Sequence, residues 1–413
     1  MLGVADALKI VLENVQPLAP IEAAISYESL GLVLAEDVAS DLDLPPFDKA
    51  MMDGFALRAA DLVDGKAELT IVEEIPAGKT PTVEVKAGQA SRIMTGAPVP
   101  RGIDAVVMIE RCEVVGTRVR TNEPRVRAGL NILHRGKEMR TGEVVLHVGA
   151  RLRPQELGLL AAVGRTRVQL QPRPSVAIVS TGDEIVDASV MPSAAQIRNS
   201  NGPMLAAQVA RAGAIPRFLG IARDDVNHLR ALIAEGLQAD MLILSGGVSA
   251  GKLDLVPGVL SELGVKALFH KVEMKPGKPI LFGVAPPAHA QRLSPGGARE
   301  TTVFGLAGNP VGSMVGFELF VRPGIRKLMT LEPGPCWIRA RLTKDHAYRT
   351  DRPTYHPARL TLTDTGFTVK PTVWFGSPDL RGVLSANAFV LLPEGDHNHR
   401  AGDTMMVLRV EDE

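Results

Sequence analysis

Cysteine is nearly absent. Cys112 and Cys336 are the only two in 413 residues. They lie far apart and form no CxxC pair, which argues against a disulfide scaffold or thiolate zinc site and fits a reducing compartment. Net charge is missing too: 46 basic and 46 acidic residues cancel, so nothing points to a nucleic-acid footprint or to attraction toward an acidic membrane. No apolar run is long enough to span a bilayer. The opening MLGVADALKIVLENV carries Asp6, Lys9 and Glu13 among its apolar residues, so it reads as an amphipathic helix rather than a signal peptide. The nine histidines show no HExxH or comparable metal spacing. There is no internal repeat and no long low-complexity tract. These absences predict a soluble, cytoplasmic protein with no nucleic-acid or membrane partner, long enough for two to four domains.

Val4, Leu8, Val11, Leu12 and Val15 recur at helical spacing and predict an opening helix, with a second from about Ile21 to Leu30 stopped by Gly31. From Asp41 to Arg153 short β-rich segments are broken by Gly and Pro, and QLQPRPS (Gln169–Ser175) marks a boundary. Strands then alternate with helices: strand 176–180, helix 203–212, strand 215–221, helix 225–236, strand 241–245, helix 254–263, strand 266–273. Two further apolar runs, 280–284 and 302–306, precede a long helix at about 311–328. That alternation predicts a parallel, doubly wound sheet. PPAHAQRLSPGGARE (Pro286–Glu300) reads as an exposed loop, and the segments after LEPGP as a small C-terminal β-barrel or sandwich.

Four glycine loops sit at the ends of apolar runs: STGDE (Ser180–Glu184), SGGVSAGKLD (Ser245–Asp254), KPGKP (Lys275–Pro279) and GLAGNP (Gly305–Pro310). Glycine lets a backbone approach a ligand closely, and the N–H groups of a following helix attract phosphate. Open α/β sheets bind ligands beyond the carboxyl ends of their strands, where these loops fall. Two standard patterns match one of them misleadingly. Gly246–Lys252 satisfies G-x-x-x-x-G-K, but Leu253 stands where a P-loop needs Ser or Thr for Mg²⁺. Gly247–Gly251 satisfies G-x-S-x-G around Ser249, yet the later acid and histidines (Asp345, His346, His356, His397) belong to the separate β-rich tail.

The charged residues around the loops divide by sign. Lys271, Lys275 and Lys278 flank the rigid PGKP turn and suit a polyanion. Asp183, Glu184, Asp224, Asp225 and Asp254 each follow a strand, where carboxylates beside phosphate hold a divalent cation. Helix capping is an equal reading for one of Asp224–Asp225. Asn309–Pro310 reads as N-cap and first helical residue, with the free N–H groups aimed at an anion. Two loop-like stretches in the first half, PPFDKAMMDGFALR (Pro45–Arg58) and RIMTGAPVPRGIDAVVMIE (Arg92–Glu110), carry Asp53 and Thr95.

PPFDKAMMDGFA, RIMTGAPVP, STGDE, SGGVSAGKLD, KPGKP and AGNPV, in this order and approximate spacing, resemble the MoeA/gephyrin family of molybdopterin molybdenumtransferases, and the likeness runs from the first helix to the last β segments. It implies an α/β multidomain chain. Residues 1–44 and 141–171 would form a helical and extended N-terminal domain, and 45–140 an inserted β-rich domain. Residues 172–330 would form a doubly wound (MogA-like) domain, and 331–413 a C-terminal β-barrel. The resemblance further implies an elongated homodimer whose site combines the doubly wound domain of one subunit with the inserted domain of the other. The reaction implied consumes adenylylated molybdopterin and molybdate, assisted by Mg²⁺, and releases AMP. A MogA-like molybdopterin adenylyltransferase would act upstream.

Carried over residue by residue, Asp53 and Thr95 come from the inserted domain, and Glu184, Asp224 and Asp254 are the acids and metal ligands. Lys271 and Lys275 would contact phosphate or molybdate. Ser377, in the FGS tripeptide, would come from the tail domain, and Gly246, Gly247, Ser249, Gly277, Lys278, Gly308, Asn309 and Pro310 of the glycine loops would bind the substrate. The chain departs from the usual pattern at Ala50, Met51, Glu138, Asn199, Leu255 and Ala307, beside the principal residues rather than on them. The alternatives are a paralogue that binds a pterin or nucleotide, or acts as a scaffold, with weak turnover, and a tungsten-specific insertase.

Overall fold

Helix α1 (Val4–Asn14) opens the chain in the computed structural model, which describes residues 1–248, 255–287 and 300–410. Its apolar stripe buries Ala7 and Val11 in the same cluster as Phe317, Phe320 and Ile325. The helix expected at 21–30 does not form. Ile21–Ala24 is a strand, followed by a single 3₁₀ turn at Tyr27–Ser29. The exposure of residues 21–26 alternates strictly, with Ile21, Ala23 and Ile25 the more covered. That period of two outweighs the helix propensity of Glu and Ala.

Contacts divide the chain into two compact units, one of Ala24–Glu28 and Glu36–Val168, the other of Met1–Ala23, Ser29–Ala35 and the described part of Gln169–Glu413. The smaller unit holds strands β1 (Gly54–Leu57), β2 (Lys66–Ile75), β3 (Gln89–Ile93), β4 (Ala105–Met108), β5 (Cys112–Val115) and β6 (Arg118–Asn122) in one sheet of order β4-β1-β3-β2-β6-β5. Strand β1 is buried along its whole length because alternate residues enter different clusters. Phe55 and Leu57 join Val107 and Leu69, while Ala56 joins Ile93 and Val106. Helix α2 (Pro154–Ala162) starts where Glu156 accepts the Arg153 N–H at 2.9 Å, with Pro154 in its first turn.

The larger unit is built on strands β7 (Ser175–Thr181), β8 (Ile215–Ala222), β9 (Met241–Ser245), β10 (Lys266–Lys271), β11 (Pro279–Ala285) and β12 (Thr301–Leu306). Their order is β8-β7-β9-β12-β11-β10. Strands β8, β7, β9 and β12 are parallel, whereas β11 is antiparallel to both its neighbours, β12 and β10, so the parallel sheet expected from sequence is interrupted by one reversed strand near an edge. Helices α3 (Asn201–Arg211), α4 (Val226–Gly236), α5 (Val256–Glu262), α6 (Pro310–Gly316) and α7 (Arg322–Leu328) flank the sheet, and the π-helical Phe317–Val321 makes α6 and α7 one continuous rod. Ile178, Ile243 and Phe304 pack on one face with residues of α1, α3 and α6; Val179, Leu242 and Leu244 pack on the other with residues of α4 and α5. Two covered faces explain why β7, β9 and β12 are continuously apolar.

The last strands are β13 (Trp337–Leu342), β14 (His346–Thr350), β15 (Thr354–Thr363), β16 (Gly366–Pro371), β17 (Ala388–Leu392), β18 (Gly395–His399) and β19 (Thr404–Arg409). Five close into a barrel of order β13-β16-β15-β17-β19, and β14 pairs with β18 as a separate ribbon.

Candidate functional site

Three strand ends are tied by two asparagines at the start of α3. The Asn199 side-chain oxygen accepts from Ser180 Oγ at 3.1 Å and from Gly202 N at 2.9 Å. Asn201 Nδ2 donates to Ser245 Oγ and to the Gly308 carbonyl, both at 2.7 Å. The ends of β7 and β9 and the loop after β12 therefore share one buried polar node. Gly246 and Gly247 take φ of 92° and 62°, with room for a Cβ on neither, since Thr181 lies 2.7 and 2.8 Å from those positions. Side chains at either would push the two loops apart.

These loops open on a cleft of 820 Å³ whose opposite wall belongs to the barrel. From the α/β side come Thr181, Glu184, Gly246, Gly247, Lys275, Gly277, Lys278, Gly308 and Asn309. The barrel side contributes Tyr348, Arg349, His356, Trp374, Phe375 and Ser377. The walls are stitched together: Asn309 Nδ2 donates to Ser377 Oγ at 2.8 Å, Val311 N to the Ser377 carbonyl at 3.0 Å, and Tyr355 N to the Lys275 carbonyl at 2.7 Å. Asn309 does hold the N-cap position of α6, but its side chain makes no capping bond. Of the N–H groups expected to face an anion, that of Val311 is already taken by the barrel loop.

Lys275, Lys278 and Arg349 face one acid, Glu184, so the cleft is net basic. Lys275 lies 3.9 Å from Asp351, a pair exposed enough to yield to a stronger anion. The Asp351 carboxyl is held below the usual range, first by its hydrogen bond from Arg352. Phe375 is 85% exposed at the mouth, and Trp374 meets His356 edge-on at 5.3 Å. The cleft thus joins a cationic end to a flat aromatic end, which suits a phosphorylated heteroaromatic ligand.

Not every residue expected from sequence reaches it. Asp224 and Lys271 are exposed and absent from the cleft wall, and Pro310 sits one residue behind Asn309. Asp225, not Asp224, caps α4, accepting from His228 N at 2.8 Å, and Asp224 donates its backbone N–H to Asp183 at 3.2 Å. Ser249 and Asp254 lie outside the described residues, and with them the P-loop and nucleophile-elbow matches. Among the described residues no three His, Cys, Asp or Glu side chains are grouped to hold a metal. Glu184 is the one described carboxylate on the cleft wall. Mg²⁺ needs only one or two carboxylates when substrate phosphates complete its shell, and Glu184 fits that mode.

In the smaller unit the two glycine- and proline-rich stretches come together. Gly96 N donates to the Ala50 carbonyl at 2.9 Å and Ala50 N to the Ala97 carbonyl at 3.0 Å. The Asp53 carboxylate accepts from Thr95 N at 2.6 Å and from Thr95 Oγ1 at 2.7 Å. The backbone bond first and the hydroxyl second hold the Asp53 carboxyl below the usual range, so it is a fixed anion. Of the departures nearby, Ala50 is buried, Met51 is exposed, and Glu138 makes a surface pair with Lys49 at 3.3 Å. Sequence reading missed Asn201, Arg349, Tyr348 and Trp374, and raised His356 only within the nucleophile-elbow match that it set aside. The two asparagines of IRNSNGP were the only local signal for the first, and nothing local marks the barrel residues.

The molybdopterin molybdenumtransferase of Bacillus subtilis (strain 168) is 35% identical over 395 residues, covering 94% of this chain and 89% of that protein. The chain belongs to the MoeA family. Residues 2–164 match the model of the MoeA N-terminal region (domain I and II), and residues 339–410 that of the MoeA C-terminal region (domain IV). Residues 177–327 match the model described as "Probable molybdopterin binding domain". The molybdopterin molybdenumtransferase of Staphylococcus aureus (strain N315) is 32% identical over 414 residues, 99% of this chain and 95% of that one. Among solved structures, the molybdopterin biosynthesis MoeA protein of Pyrococcus horikosii superposes with a TM-score of 0.82 at 29% identity, covering 100% of both chains. The cleft lies in the regions matched by the molybdopterin-binding model and by the MoeA C-terminal model, and the Asp53–Thr95 pair in the region matched by the MoeA N-terminal model.

Proposed function

We propose that this chain is a molybdopterin molybdenumtransferase of molybdenum-cofactor synthesis, taking adenylylated molybdopterin and molybdate and releasing AMP as the metal is left on the dithiolene sulfurs. The observation that carries this reading is the joining of Lys275, Lys278 and Arg349 to the Gly246–Gly247 and Asn309–Ser377 backbone in one cleft. Lys275 and Lys278 offset phosphate charge, and the planar guanidinium of Arg349 suits a tetrahedral oxyanion. Positive Gly246 and Gly247 φ angles let the backbone approach the ligand. Mg²⁺, when bound, supplies Lewis-acid polarisation of a phosphate oxygen, and Glu184 would hold it.

The family resemblance supports a homodimer in which Asp53 and Thr95 act on substrate held by the other copy. The same resemblance supports a cytoplasmic setting, with a MogA-like adenylyltransferase supplying the substrate. No helix among the described residues is long and apolar enough to cross a membrane. Purified protein given adenylylated molybdopterin, Mg²⁺ and molybdate should release AMP only when molybdate is present. Lys278→Ala should abolish release. Substrate binding with no AMP release would instead favour a binding paralogue, and tungstate in place of molybdate tests the metal preference.

A further inference from the structure

A second groove of 720 Å³ lies on the barrel and shares no lining residue with the cleft. Lys344, Arg359, Lys370 and Arg381 line it, with Ser385 and Gly382, and no carboxylate does. Arg359 and Lys370 are paired directly across the antiparallel β15–β16 ladder. Like charges at directly opposed positions repel, so the fold holds them together at a cost. Asp379 is an acid close enough for Arg381 to influence it, but its two oxygens already accept from Phe375 N and Gly382 N, each at 3.0 Å. The groove therefore carries four cations on its lining, with Asp379 beside Arg381 as a neighbouring acid.

We propose that this groove binds a compact polyanion with two linked phosphate groups. Four positive charges, less the one acid beside Arg381, match the three to four negative charges of a pyrophosphate, and a groove of this size admits a small molecule rather than only an ion. An ammonium and a guanidinium facing each other across the ladder can each take one phosphate, which turns their repulsion into shared attraction. The floor also touches the cleft wall: a Cβ on Gly382 would stand 3.1 Å from Trp374 Cδ1. Occupancy of the groove is thus reported by Trp374, one of two tryptophans in the chain.

The test uses the full-length chain carrying Trp337→Phe, so that Trp374 is the sole tryptophan, and Lys275→Ala with Lys278→Ala to disable the cleft. Titration with inorganic pyrophosphate at low salt should show one bound equivalent by calorimetry and a change in Trp374 emission. Adding Arg359→Gln with Lys370→Gln should weaken binding at least tenfold without lowering the melting temperature of the free protein. Three results would overturn the proposal: no binding in the cleft-disabled protein, unchanged affinity after the paired substitution, or tighter binding of a hexaglutamate peptide than of pyrophosphate. A lower melting temperature after the paired substitution would overturn the like-charge reading on which the proposal rests.

Discussion

Asn201 donates one side-chain amide to both Ser245 Oγ and the Gly308 carbonyl at 2.7 Å, so a single buried residue fixes the spacing of two ligand-facing loops. Asn201→Ala leaves both acceptors without this donor. The expected loss is about 1–3 kcal/mol for the unsatisfied buried groups. Chemical denaturation should show a lower midpoint with unchanged slope, and KM for the pterin substrate should rise because the glycine loops lose their register.

Gly277 tests the close packing of the KPGKP turn. Its φ is 94°, and a Cβ there would stand 2.8 Å from the Gly312 carbonyl in the first turn of α6. Gly277→Ala should cost about 1–3 kcal/mol in backbone strain and should reduce AMP release by moving Lys275 and Lys278. Thermal melting and turnover measured on the same preparation check both effects.

Asp53 gives a pH signature. Its folded-state pKa is depressed, first by the Thr95 backbone N–H and second by the Thr95 hydroxyl. A depressed carboxylate is fully ionised above the ordinary carboxylate range and loses its charge only as pH falls through the lowered folded value. Thr95→Val removes the hydroxyl bond and keeps the backbone one, so the acid limb of the activity profile should move toward higher pH. An unmoved limb would remove Asp53 from the set of ionisations that matter.

Arg349 should behave as an oxyanion ligand. A charge-assisted hydrogen bond contributes about 1.5–3 kcal/mol, so Arg349→Ala should raise KM for molybdate roughly ten- to a hundredfold with a smaller effect on kcat. Arg349→Lys should recover only part of the loss, because a point charge lacks the planar fork. Steady-state kinetics with molybdate as the varied substrate separate these outcomes.

Much of this was legible in the chain itself. Strands β7, β9 and β12 are readable because both faces are covered, which leaves an unbroken apolar run ending in glycine. Strand direction is not written in such runs, and the reversal of β11 between β10 and β12 is the one departure from the parallel arrangement. The signal was nevertheless present, since no helical pattern separates 280–284 from 302–306, and a parallel pair needs a crossover. The segment 21–30 misled because Glu and Ala favour helix while Ile21, Ala23 and Ile25 alternate. The lysines and glycines of the cleft were visible as loops. Arg349, Tyr348 and Trp374 were not, because strand positions on a barrel acquire meaning only from what the barrel is docked against. Asp224 and Asp225 look equivalent in sequence, and the helix start chose the second as its cap.

The bonds from Asn309 and Val311 to Ser377, and from Tyr355 to Lys275, mean that the ligand-facing loops are themselves the seam joining barrel to sheet. The two cannot be exchanged as interchangeable modules. A chimera that grafts a relative's barrel at residue 337 inherits a foreign partner for the KPGKP turn and for the start of α6. Transplants that carry the turn, the helix start and the barrel loop as one block should fold and turn over, whereas grafts cut between them should lose both together.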